Sequence, residues 1–187
     1  MSIPTSPSTA LYTLGRGALY VAAWDGNTPP AIGDFEDVGD CQEFTVEVTE
    51  EKLEHFTRRS GTRNKDRVVT LESGYELSFV LNESSVNNLK RYLRGTLEGT
   101  NTIQANTALT AEFALRFITD NATGPNELWE FWKLELSPNG SMNLLSDEWR
   151  AIPFSGTGLA DSANKPNSPF FNVTMAAEGE TVVTTTT

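Results

Sequence analysis

Residues 43–48 read EFTVEV, and their strict alternation decides the fold. Phe44, Val46 and Val48 fall on one side of an extended chain, and Glu43, Thr45 and Glu47 on the other. That two-residue period is the mark of a half-buried strand. Downstream, RVVTLESGYELSFVLN at 67–82 predicts a longer strand with a bulge or bend at Gly74. Between them lies EEKLEHFTRRSGTRNKDR, 50–67, which starts acidic, ends basic and holds Leu53 and Phe56 near its middle. Its charge predicts a long exposed loop.

Working outward, GRGALYVAAW at 15–24 predicts a first strand, and the Gly, Asn and Pro residues of DGNTPPAIGD turn the chain after it. In ESSVNNLKRYLRG, Val86, Leu89 and Leu93 recur at helical spacing, Ser84 or Ser85 can cap the start, and Gly95 can stop it. A helix is expected over 84–95, covering an open end or face of the sheets. LTAEFALRFITD at 109–120 alternates with Leu109, Ala111, Phe113, Leu115 and Phe117 on one face. LWEFWKLELS at 128–137 predicts another strand, and further strands are expected around 147–158 and 170–178. Seven or eight strands and one helix imply a mainly β fold, an antiparallel sandwich or barrel. The organisation expected is an N-terminal arm at 1–14, a β-domain at 15–159 and a C-terminal arm at 160–187, since both ends are poor in core-forming residues.

Composition narrows the chemistry. The chain of 187 residues carries 25 acids against 14 bases, a net charge of −11. Such a surface lacks the Lys and Arg needed to grip phosphates without regard to sequence. The single cysteine, Cys41, excludes an intrachain disulfide, and with His55 it makes too few ligands for zinc. No apolar run reaches the roughly 18 residues of a membrane span, and MSIPTSPSTALYTLG lacks the pattern of a secretory signal. His55 sits among flexible charged side chains, a poor place for a catalytic base. No phosphate-binding or dinucleotide motif occurs, so no cofactor is expected. Asp34, Glu36, Asp37 and Asp40 cluster in DFEDVGD without the spacing of a calcium loop. In LWEFWKL, Trp129 and Phe131 share one face and Trp132 takes the other. Packing is the expected role; a carbohydrate-binding or adhesive platform is the alternative, and a small β-hydrolase a third reading without a plausible base.

Taken together, the Gly-Arg-Gly opening, VGDCQEFTVEVTEE, the acidic-to-basic EEKLEHF…SGTRNKD stretch and VTLESGYELSFVL resemble the major tail tube protein of long-tailed, siphovirus-type bacteriophages. The likeness is strongest over residues 14–95. It implies a β-sandwich closing into homohexameric rings whose sheets merge into one ring-wide β-barrel. Rings would stack into a hollow virion tail, assembled in the host bacterial cytoplasm and joined by tape measure, tail-tip and terminator proteins. Double-stranded DNA would pass through without sticking. The stretch 50–67 then becomes an inter-ring loop. Glu50, Glu51 and Glu54, followed by Arg58, Arg59, Arg63, Lys65 and Arg67, can meet charges of both signs, with Leu53 and Phe56 as anchors. Glu43, Glu47, Glu72, Glu76 and Glu112 are the expected lumen residues, although Arg116 shares a face with Glu112. The arms would be ordered by neighbouring subunits.

Overall fold

The computed structural model describes residues 11–59, 61–108 and 112–176. Within them the chain forms β1 (Gly17–Ala23), β2 (Glu36–Asp37), β3 (Cys41–Thr57), β4 (Asn64–Leu81), α1 (Val86–Tyr92), β5 (Thr96–Glu98), β6 (Thr102–Gln104), β7 (Glu112–Thr119), β8 (Glu127–Pro138), β9 (Ile152–Gly158) and β10 (Phe171–Met175). The main sheet runs β2-β1-β7-β8-β9-β4-β3, with β10 paired to β8. All its pairings are antiparallel. The fold is mainly β with a single helix among the described residues, as the alternation predicts.

The sheet folds over on itself. Phe44 of β3 stacks on Phe117 of β7 at 4.9 Å between ring centroids, although three strands separate β3 from β7 in the sheet. The inward face carries Leu19, Leu115, Leu134, Tyr75, Phe79, Phe131 and Phe154, all essentially fully buried. Gly158 is needed here, because the Tyr75 ring occupies the space that a β-carbon would take. Burying side chains of this size is the main source of stability.

α1 forms where its caps predict, but it is shorter than the expected span. Ser85 is the N-cap and accepts a hydrogen bond from the Asn88 amide at 3.2 Å. After Tyr92 the chain breaks out through Arg94, whose φ of 47° is left-handed, and the Gly95 amide donates to the Lys90 carbonyl. That is a helix-ending arrangement in which Arg94 rather than glycine takes the left-handed position. Leu89 and Tyr92 pack on the core, so the helix covers one end of the folded sheet. Asn88 is buried and donates to the carbonyls of Val38 and Glu83.

Glu36 joins β2 to this helix, accepting from Asn87 and Arg91, each at 2.5 Å. Burial pushes its carboxyl up, but those hydrogen bonds and the charges of Arg91 and Lys90 outweigh it, leaving it below its ordinary value of 4.5. A carboxyl lowered in the folded state stabilises fully above its unfolded value, and the benefit is lost as pH falls through the folded value. Urea midpoints should therefore favour the natural chain over Glu36→Gln at neutral pH. The two should converge as pH drops below 4.5; a constant gap would exclude this linkage.

Several expectations change. The expected loop at 50–67 has regular structure: residues 50–57 complete β3, 64–67 begin β4, and the reversal lies between them. Gly61 turns the chain there with φ +85°, its amide donating to the Arg58 carbonyl at 3.0 Å. Charge marked exposure, and a solvated hairpin is as exposed as a loop. The irregularity expected at Gly74 lies nearer the tip, where the pairing steps from Glu51↔Glu72 to Lys52↔Thr70 and leaves Leu71 extra. Gly74 itself pairs in register with Thr49.

Residues 160–176, expected as part of an arm, pack on their own domain. β10 pairs with β8, and Phe170 and Phe171 contact the core. Residues 139–151 are a loop rather than the start of a strand. The small β5–β6 hairpin was not anticipated. Residues 1–10 and 177–187 of the expected arms, and Leu109 and Ala111, lie outside the described residues.

Candidate functional site

The outward face of the sheet is built from the alternate positions that the core does not use. Register aligns Glu47 of β3 with Glu76 of β4, Glu76 with Thr157 of β9, Thr157 with Glu135 of β8, and Glu135 with Glu112 of β7. Four of the five residues in this row are carboxylates. Beside Glu47 and Glu76, Glu51 faces Glu72 directly, and Glu43 faces Val80. All five expected lumen residues thus share one face. Glu51, assigned to the loop, joins them.

Cations balance only one end of the row. Lys133 Nζ lies 3.1 Å from Glu112, and Arg94 lies 3.0 Å from Glu135. Arg116 is neutralised by Glu130 at 2.7 Å and lies over the Phe35 ring at 4.5 Å, which resolves its place on an acidic face. Glu43, Glu47, Glu51, Glu72 and Glu76 make no ion pair among the described residues. Like charges directly opposite each other weaken a sheet, so the Glu47–Glu76 and Glu51–Glu72 pairs cost the isolated subunit stability. Glu135 was missed in the sequence reading, although the alternation of Lys133, Glu135 and Ser137 carried the signal.

β3 is also an edge. Among the described strands it pairs only with β4, so its outer rim of amides and carbonyls is unpaired along its length. A long free edge is a template for another strand.

Beyond Thr49↔Gly74 the β3–β4 hairpin leaves the body, because β9 stops pairing with β4 at Glu76↔Thr157. Residues 50–57 extend it by roughly 26 Å at about 3.3 Å per residue. A two-stranded hairpin alone is marginally stable in water. This one exposes Leu53, Val68, Val69 and Leu71. The bulge at Leu71 brings Leu53 opposite Val69 and His55 opposite Arg67. On the side continuous with Glu51, the acidic face thus gives way to an apolar pair and then a basic end. Phe56 is half-buried beneath the Arg63 guanidinium, 4.0 Å from its ring centre. Glu54 pairs with Lys65, Glu50 with Lys52, and His55 Nδ1 with Asp66 at 2.6 Å. Arg58, Arg59 and Arg67 form no ion pair among the described residues.

The remaining candidates are occupied locally. Asp34 accepts from the Ala31 amide, Asp37 from the Gly39 amide and Asp40 from Asn82, so the acidic cluster is used in turns and links. Trp129 stacks near Phe131 and Phe171, while the Trp132 indole donates to the Ser168 carbonyl with Lys165 over its ring. Neither offers a free sugar-stacking platform. A cavity of about 540 Å³ beside α1 is lined by Trp24, Lys90, Arg91, Arg94 and Glu112, and neither His55 nor Cys41 lines it. Burial pushes the Cys41 thiol up to about 11.

A family model described as "Protein of unknown function UCP028589" matches residues 12–101, under half of the chain. No curated protein matches. Among solved structures, the chain is similar to the tube-terminating cap of the anti-feeding prophage, at 12% identity over 94% of this chain and 95% of that one, with a TM-score of 0.38. It is also similar to a chain of the extended sheath–tube complex of PVC, an extracellular contractile injection system. There the identity is 13% over 85% of this chain and 88% of that one, with a TM-score of 0.35.

Proposed function

We propose that this chain is the structural subunit of a bacteriophage tail tube, acting by assembly rather than by catalysis. Subunits join through strand edges into hexameric rings, and the rings stack head-to-tail. The unpaired carboxylates of β3 and β4 face a channel through which double-stranded DNA passes. Tape measure, tail-tip and terminator proteins are the partners this role requires.

The observation that carries the reading is the set of like-charged pairs, Glu47 with Glu76 and Glu51 with Glu72, beside an unpaired edge. The pairs weaken an isolated subunit, so their use lies elsewhere. A wall of carboxylates offers phosphates none of the counterion release that generates affinity for DNA. Closing the sheet into a ring satisfies the free rim of β3 and leaves an aqueous lumen once enough strands join. The projecting hairpin supplies an axial contact, with its Leu53, Val68, Val69 and Leu71 side chains covered by the next ring. The six-fold count follows the sequence resemblance.

Negative-stain microscopy of concentrated protein, with sedimentation across a concentration series, tests the proposal. Rings with a central channel, or tubes, are the expected result. A protein that stays monomeric throughout overturns it.

A further inference from the structure

The hairpin needs a receiving surface, and one lies at the opposite end of the same strands. β4 runs from Asn64 at the hairpin tip to Leu81, which pairs with Ile152 at the start of β9. The loop 139–151 enters β9 there, so roughly 55 Å of strand, at about 3.3 Å per residue, separates it from the tip.

Its base is fixed. The Asn139 amide donates to Pro153, Tyr92 donates to the Gly140 carbonyl at 2.8 Å, and Met142 packs against the core. Its crest is bare: Leu144 is 73% exposed, Leu145 97% and Trp149 92%. Large apolar side chains grouped on a fixed base and open to water mark an interaction surface.

We propose that this crest receives the β3–β4 hairpin of a second copy of the chain, an inference that rests on the tube reading and names its axial contact. Leu144, Leu145 and Trp149 pack on the ribbon around Leu53, Val69 and Leu71, whose side chains are likewise open to water. Charge agrees with the pairing. Asp147 and Glu148 sit on the crest, while Arg58, Arg59 and Arg63 surround the hairpin tip. Trp149 can also stack on a guanidinium. The two surfaces are unlike and lie at opposite ends, so their contact repeats from copy to copy without closing.

Cross-linking tests this directly. Leu145→Cys protein mixed with Val69→Cys protein and a flexible bismaleimide at neutral pH should give a covalent dimer that neither population gives alone. Native Cys41 serves as the background control. Leu144→Ser/Leu145→Ser/Trp149→Ser should remain folded by circular dichroism and lose stacking. If the natural chain makes tubes but the mixed pair does not link, or Leu145→Cys links equally well to itself, the crest is not the receptor and the tube reading stands. If the natural chain never associates, both fall.

Discussion

Protein carrying Arg58→Glu, Arg59→Glu and Arg63→Glu is expected to fold as the natural chain does and to stop short of stacking. These side chains lie at the hairpin reversal, outside the core. Exposed substitutions away from specific contacts usually change unfolding free energy by no more than about 0.5 kcal/mol each, and losing the Arg63 guanidinium over Phe56 adds about 0.5–1 kcal/mol. Assembly should respond far more strongly. Each subunit presents this tip once, and the proposed tube would repeat the contact at every copy, so a modest unfavourable change per contact would multiply along the stack. Isolated surface pairs contribute only about 0–1 kcal/mol each, and reversal acts mainly by placing like charges together and slowing productive encounter. Asp147→Arg with Glu148→Arg in the same background should recover part of the loss. Thermal melts and electron microscopy read the two halves of the expectation. Normal tubes from a folded triple variant would remove the hairpin tip from the axial contact.

Phe131→Ala tests the fold itself, in the core rather than at the exposed tip. Phe131 is 1% exposed. Its ring lies 5.9 Å from that of Phe44, 5.4 Å from Tyr75 and 5.4 Å from Phe171. It therefore connects β3, β4, β8 and β10 across the folded sheet. Truncation of a buried aromatic costs about 3–5 kcal/mol, a large part of the roughly 5–15 kcal/mol that holds a typical domain. Urea denaturation should show the loss as a lower midpoint. Phe131→Leu, which keeps most of the bulk, should lose less. Equal effects would mean that the aromatic contacts add little to plain burial.

What the sequence revealed depended on how local each signal was. The period of EFTVEV and the ESSVNNL cap are set within a few residues, and β3 and α1 form there. The sorting of Glu43, Glu47, Glu72, Glu76 and Glu112 away from the core also followed from alternation. The alignment of Glu47, Glu76, Glu135 and Glu112 into one row did not, because strand register is fixed between segments far apart in the chain. The hairpin at 50–67 read as a loop because charge reports solvent exposure, not backbone conformation. The strand expected around 170–178 forms over Phe171–Met175, but its docking did not show in the sequence, because the core that receives Phe170 and Phe171 belongs to β4 and β8, far away in the chain. Leu144, Leu145 and Trp149 escaped because a crest without periodic structure gives no pattern to read.

The placement of a ribbon at one extremity of β4 and a bare crest at the other has a consequence for growth. In the proposed tube, however many copies join, one terminus would still offer a ribbon and the opposite terminus a crest, so elongation would have a direction. A copy with its crest residues replaced could dock by its own ribbon and then offer nothing to the next arrival. Supplied in small proportion, it would act as a stopper, shortening particles in a dose-dependent way from that side alone.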